Sequence, residues 1–267
     1  MGDPSGTPEV KMRNIKLVIE YDGTNYHGWQ SQQNAKTIQN ILEEAICKLT
    51  GENCSLIGSS RTDSGVHALG QVANFITGSR IPAGKFAYAL NSILPDDIVI
   101  KRSLEVELDF HSTHSAKAKK YRYLIHNSVF PSALLKNRAF HVSYPLDMEA
   151  MRKAVSYFIG KHDFRAFCAS GSSVKTSVRT VFDAHMNEVT DMFKMCGSSV
   201  ESRLICIEIS GDGFLYNMVR IIAGTLIEVG MGRRKAEDMP GIIEGRDRKK
   251  AGKTAPAHGL YLVEVYY

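Results

Sequence analysis

The string Gly58-Ser-Ser-Arg-Thr-Asp-Ser-Gly-Val-His-Ala68 sets an arginine and a carboxylate two positions apart among small residues. Glycine and serine at that density mark a turn, so Arg61 and Asp63 project from a turn that follows a short strand. Two readings fit. They form an ordinary surface pair worth under about 1 kcal/mol, or the carboxylate is held ready for reaction. A second arginine bears on the choice. Arg220 lies in Leu215–Ile227, a segment apolar nearly all round. A guanidinium keeps its proton, so at that position it needs an anion or a path to solvent. Either it snorkels to the surface, or a carboxylate from the other half of the chain meets it, with Asp63 the first candidate. An arginine alongside would lower the pKa of Asp63 and keep it ionised, as a carboxylate nucleophile must be.

Aromatic side chains supply a second kind of chemistry. In Lys119-Lys-Tyr-Arg-Tyr-Leu124 the tyrosines 121 and 123 share one face of a strand and Arg122 takes the other. Aromatics among lysines suit base stacking beside phosphate contacts; they are equally good strand formers that pack a core. The net charge is only +5, but between Phe110 and Leu146 there are six basic residues and no acid. Such a run makes a local positive field favourable to a phosphate-rich partner, with Lys117, Lys119, Lys120 and Arg122 as candidate RNA contacts. The alternative is a solvated basic surface.

Other chemistries find no site. Gly252-Lys-Thr254 resembles the end of a phosphate-binding loop, but Asp247 stands where that motif needs glycine. Gly211-Asp-Gly213 reads as a hairpin turn rather than part of a dinucleotide fingerprint. His111-x-x-His114 has metal-ligand spacing without a third ligand nearby. No cofactor and no metal are expected. The five cysteines (47, 54, 168, 196 and 206) form no C-x-x-C pair, which suits free thiols in a reducing compartment. Cys47, Cys168 and Cys206 read as core fillers. Residues 1–10 read as a disordered leader, not a signal peptide. The most apolar stretch, Phe214–Met231, is broken by Arg220 and Glu228, which argues against a membrane span. The expectation is a soluble, cytoplasmic protein.

The elements that must position these residues alternate between sheet and helix. Strands are expected near Ile15–Tyr21, Ser55–Gly58, Gln71–Ile76 and Ile98–Ser103, with a helix near Ala83–Ile93. Ile38, Ile41, Leu42, Ala45, Ile46 and Leu49 fall on one helical face ended by Gly51. A second amphipathic helix runs from an Asp147 N-cap to Gly160, with Met148, Met151, Ala154, Val155, Phe158 and Ile159 facing inward. Further strands are expected at Tyr121–His126, Val178–Glu188, Arg203–Ser210 and Leu260–Tyr266, and an apolar helix at Tyr216–Val229. The fold class is α+β: two halves, each a sheet backed by helices, around a central basic cleft. The halves span 11–110 and 147–267, with 111–146 as a basic linker carrying a central strand.

These strings together resemble the tRNA pseudouridine synthase A family over nearly the whole chain. The resemblance rests on Tyr21-Asp-Gly-Thr-Asn-Tyr-His-Gly-Trp-Gln30, on Arg61-Thr-Asp-Ser-Gly-Val-His-Ala68 with Gly70-Gln-Val72, and on Lys120-Tyr-Arg-Tyr123. It continues in His162-Asp-Phe164, Gly213-Phe-Leu-Tyr-Asn-Met-Val-Arg220 and Thr254-Ala-Pro-Ala-His-Gly-Leu260. It implies two ferredoxin-like halves with mixed, largely antiparallel sheets, forming a homodimer that binds tRNA without a cofactor. It also implies an isomerase acting on uridines 38 to 40 of the anticodon stem-loop. Asp63 would be the nucleophile, Arg220 its partner, Tyr121 the platform for the base, and Arg61 would fill the space of the flipped uridine. Two departures stand out: Ser60 occupies a position where the family commonly has glycine, and Ser112-Thr113 replaces a common Ala-Arg. A non-catalytic RNA-binding module of this fold, or a synthase for other uridines, are the rival readings.

Overall fold

A computed structural model describes residues 11–171, 176–189 and 202–267. The expected leader (1–10) and Cys196 lie outside them. The described chain forms one continuous sheet of ten strands. These are β1 (Arg13–Tyr21), β2 (Ile57–Gly58), β3 (His67–Thr77), β4 (Ile98–Val106), β5 (Ala118–Asn127), β6 (Phe140–Val142), β7 (Gly160–Asp163), β8 (Val178–Val189), β9 (Arg203–Gly211) and β10 (Leu260–Tyr266). The order is β4-β1-β3-β10-β5-β9-β8-β7, with β2 against β3 and β6 against β5. Pairing is antiparallel except for β10 with β3 and β5 with β6. The C-terminal strand β10 therefore joins the β4-β1-β3 side of the sheet to the β5-β9-β8-β7 side, and β5 lies between β10 and β9.

Five α-helices occur among the described residues: α1 (Ile38–Thr50), α2 (Phe86–Asn91), α3 (Met148–Ser156), α4 (Met218–Gly230) and α5 (Met239–Gly245). None is long and apolar enough to cross a membrane. Thr37 caps α1 by accepting from Asn40 N, and Asp147 caps α3 by accepting from Ala150 N. Period-two alternation sorts the sheet into faces. On the face covered by α3 and α4, Tyr121, Tyr123 and Ile125 lie opposite Ile209, Ile207 and Ile205, which in turn oppose Ala184, Met186 and Glu188 on β8. The isoleucines are fully buried. The other face presents Lys120, Arg122, Glu208 and His185.

Three local expectations change. The helix expected to reach Gly160 ends at Ser156, where N–H groups 157, 158 and 159 turn to carbonyls three residues back. That tightening rotates Ile159 off the buried face, leaving it 44% exposed. Cys47, read as core, is half-exposed with its Sγ near Asn53 Oδ1. Nine residues after Ile38, it points half a turn away from the apolar stripe of α1. Gly211–Gly213 is not a hairpin turn: Asp212 exchanges hydrogen bonds with Thr180 on β8, and the chain then enters α4.

Candidate active site

Asp63 is presented by the loop between β2 and β3, and its neighbours explain why that loop keeps one shape. Tyr21 Oη and Thr62 Oγ1 share a hydrogen bond of 2.7 Å, and Trp29 N donates to Thr62 O at 3.0 Å. Ser64 Oγ donates to Tyr26 O. Gln71 Nε2 donates to Ser60 O, while Ser59 Oγ donates to Gln71 Oε1. Gly28 has φ of +88°, and a Cβ there would lie 2.5 Å from the Thr62 carbonyl oxygen. Only glycine lets the two loops close to this distance. The Tyr21–Gln30 string is therefore the buttress of the Asp63 loop.

Arg220 comes from the first turn of α4. Its Nη1 donates to Asp63 Oδ2 at 3.2 Å and to Asn217 Oδ1 at 2.6 Å, and its Nε donates to Ala255 O at 2.8 Å. The guanidinium thus finds a carboxylate 157 positions earlier in the chain. Two features fix its base. Asn217 sits at φ of +60°, the left-handed region that costs a non-glycine residue energy and recurs at functional sites. Residues 251–255 strap across α4 so closely that a Cβ on Gly224 would lie 1.8 Å from Lys253 O. Gly252-Lys-Thr254, which resembled a phosphate loop, is that strap: Gly252 N donates to Thr225 Oγ1 and Ala255 N to Arg220 O. Asn217 carries no role in the sequence reading, because its part depends on a left-handed backbone that its residue type does not dictate.

The electrostatics correct one expectation. Beside Arg220 the Asp63 carboxyl was expected to fall in pKa, but it is raised from 3.8. Loss of water around a side chain only one-third exposed outweighs a single 3.2 Å contact with an arginine that also serves Asn217 and Ala255. The carboxylate is held in place and kept basic, which suits a nucleophile better than a deeply stabilised anion does.

Asp63, Arg61, Lys119 and Tyr121 line one cavity of about 580 Å³, closed on the other side by Phe214–Val219 and Leu260. Tyr121 is buried, meets Phe214 edge to face at 4.9 Å, and shares a 3.1 Å hydrogen bond with Ser60 Oγ. Burial pushes its hydroxyl up to about 12. Tyr123, on the same face, is sealed in the core with its hydroxyl donating to Pro256 O. Arg61 is exposed at the rim and has no side-chain partner among the described residues.

The four candidate RNA contacts separate. Lys119 turns into the cavity, where Nζ donates to Ser59 O at 2.7 Å and Ser60 Oγ at 3.1 Å, and burial lowers its pKa to about 8. Lys117 is exposed. Lys120 and Arg122 are on the opposite face, both paired to Glu208 at 3.0 and 2.7 Å. The structure does not bring them to Asp63. Of the two departures from the family pattern, Ser60 links Lys119 to Tyr121, and Thr113 stands at the cavity wall with Oγ1 donating to Gly58 O. His111 Nδ1 accepts from the backbone N–H groups of Thr113 and His114, so the His-x-x-His pair shapes a turn.

A family model described as tRNA pseudouridine synthase matches residues 17–115 and 154–267. The chain is 63% identical over 256 residues to tRNA pseudouridine synthase A of Acetivibrio thermocellus, covering 96% of this chain and 100% of that protein. With the same coverage it is 57% identical to the protein of that name from Ruminiclostridium cellulolyticum, and 55% identical to that from Caldicellulosiruptor saccharolyticus.

Proposed function

The chain belongs to the tRNA pseudouridine synthase family, and from that premise we propose that Asp63 is the nucleophile with which it isomerises tRNA uridine. The enzyme is an isomerase: the N1–C1′ bond of uridine breaks, the base turns, and C5 joins C1′. Reactant and product have the same atoms, so the balance of the reaction calls for no oxidant or nucleotide. Asp63 acts by attack at C1′, by addition to the base, or by removing a sugar proton to give a glycal. All three routes need an ionised carboxylate fixed beside the sugar. The observation that supports this reading is the meeting of Asp63 with Arg220 at 3.2 Å on one wall of a cavity that also holds Tyr121.

The base leaves its stack at a cost of a few kcal/mol. Packing on Tyr121 returns about 1–3 kcal/mol, and Arg61, unpaired at the rim, enters the gap left in the RNA. The substrate positions are uridines 38, 39 and 40 of the anticodon stem-loop, and the working unit is a cytoplasmic homodimer; both follow the family resemblance. Asp63→Ala is expected to abolish tritium release from 5-labelled uridine in tRNA while tRNA binding survives. A variant that still releases label overturns the assignment. Because the Asp63 pKa is raised, the acid limb of kcat/KM lies above the ordinary aspartate value of 3.8, with activity lost as pH falls through it. Mapping pseudouridine in RNA from cells lacking the protein tests the positions.

A further inference from the structure

A second cavity, of about 680 Å³, adjoins the catalytic one; Gly171 lines both. Its charged lining consists of Arg165, Arg246 and Arg248, with no carboxylate among the lining residues, and Thr176, Ser177 and Thr254 add hydroxyls. Among the described residues the acid that answers these arginines is Asp163, whose Oδ2 lies 3.2 Å from Arg246 Nε and which also feels the charge of Arg165. Its other oxygen accepts from Ser177 Oγ. One guanidinium of the three is thereby ion-paired.

The other two are presented in different ways. Arg248 is held rigid: Nη1 donates to Gly252 O at 2.9 Å and Nη2 to Thr254 Oγ1 at 3.1 Å. Those partners belong to the strap that also fixes Arg220, because the next residue, Ala255, accepts from Arg220 Nε. Arg165 is exposed and makes no side-chain hydrogen bond or close ion pair among the described residues; its charge acts on Asp163 only at longer range. The backbone is shared as well, since Ala169 N in the wall of this cavity donates to Tyr216 O in the wall of the catalytic one. Fixed and free guanidiniums around one concavity, short of anions and lined with hydroxyls, match the fork geometry and charge of phosphate oxygens.

We propose that this cavity is a phosphodiester subsite, which takes the RNA backbone next to the uridine held at Asp63. The inference rests on the catalytic reading above and adds to it where the strand leaves the site. A phosphate held here fixes the register of the strand, while the adjoining cavity receives the base.

The test uses the full-length enzyme and an unmodified tRNA transcript. Arg165→Gln and the charge reversal Arg165→Glu are compared with Arg152→Gln, which removes the same charge from the exposed face of α3, where Arg152 pairs with Glu149. Arg165 is exposed and makes no side-chain hydrogen bond or close ion pair among the described residues, so the melting temperature of the Arg165→Gln variant is expected to stay near wild type. Arg165→Gln is expected to raise KM about fivefold to tenfold and to flatten the plot of log Kd against log salt by about 0.7 to 0.9, the change for one phosphate contact. Arg165→Glu exceeds it in both, and kcat at saturating tRNA changes less than KM. Arg165 variants with the KM and salt slope of Arg152→Gln would overturn the subsite. Asp63→Ala, assayed beside them for binding and label release, keeps the two claims apart: retained label release sinks the catalytic reading, whatever Arg165 shows in binding.

Discussion

The two faces of β5 are built from one basic string and do opposite things with it. On the face covered by α3 and α4, Lys119 and Tyr121 turn into the cavity that holds Asp63, where Lys119 loses water and its pKa drops to about 8. On the other face Lys120 and Arg122 converge on Glu208, whose pKa they lower against the effect of its own burial. Neighbours in sequence are thus a desolvated amine in the Asp63 cavity and a neutralised structural cluster. A run of like charge is therefore not one electrostatic feature once it lies on a strand. Alternation divides it, and partners distant in sequence decide what each half is worth.

The largest expected effect breaks the catalytic side. Arg220→Ala removes the only cation bonded to Asp63 among the described residues. A loss of about 10²- to 10³-fold in kcat is expected, the scale seen when one preorganised charged group is deleted. With the lowering influence of Arg220 gone, the Asp63 pKa rises further, so the acid limb of kcat/KM moves to higher pH. A merely structural arginine would lower activity without moving that limb. Normal turnover in this variant would end the claim that Asp63 and Arg220 together make the site.

Next comes the buried amine. Lys119 titrates at about 8 in the folded protein against 10.5 when free. Between those values the unfolded chain binds more protons, so the wild type gains stability as pH rises through the window. Lys119→Met removes that gain. Its destabilisation relative to wild type is expected to grow by up to about 3 kcal/mol between pH 8 and 10.5, read from urea unfolding at both pH values. A constant difference would mean that burial does not depress the Lys119 pKa.

The opposite face shows the reverse sign. Glu208→Gln leaves Lys120 and Arg122 half-buried without their anion and should cost about 1–3 kcal/mol at pH 7. The Glu208 pKa is lowered, so its contribution is present above 4.5 and is lost as pH falls through the folded value. The Glu208→Gln penalty therefore fades in acid, whereas that of Lys119→Met grows in base. Label release by Glu208→Gln should stay near wild type. A large catalytic loss there would join the two faces into one functional surface.

This division also explains what could be read before the structure. Strand β10 runs over Leu260–Tyr266 as its alternation predicts, and α1 covers the apolar stripe from Ile38. Asp63 and Arg220 were legible because a charged residue in a turn and an arginine in an apolar helix each raise a problem that local structure cannot solve. Glu208 was not legible, because its partner Arg122 lies 86 residues earlier in the chain and reaches it through the β5–β9 register. The raised pKa of Asp63 was missed for a similar reason. Sequence named its partner but could not show that Arg220 also serves Asn217 and Ala255, or how little water reaches the carboxyl. Asn217 needed backbone geometry, since its role depends on a left-handed φ that its residue type permits but does not dictate.

The smallest predicted effect is the sharpest probe of the cavity-facing side. The Ser60 hydroxyl is, among the described residues, the one link between Lys119 Nζ and the Tyr121 hydroxyl. Ser60→Gly deletes that link and leaves Ser59 O to hold Lys119. A loss of about 0.5–1.5 kcal/mol in stability is expected, the net worth of an ordinary hydrogen bond. Ser60 also holds the Tyr121 pKa down, so in the variant the phenol titrates above its present value of about 12. Since Asp63 and Arg220 keep their contact, kcat should fall by less than about tenfold, as one hydrogen bond of that strength allows. A fall matching that of Arg220→Ala would shift the centre of catalysis from the Asp63–Arg220 pair to the Lys119–Ser60–Tyr121 line on β5.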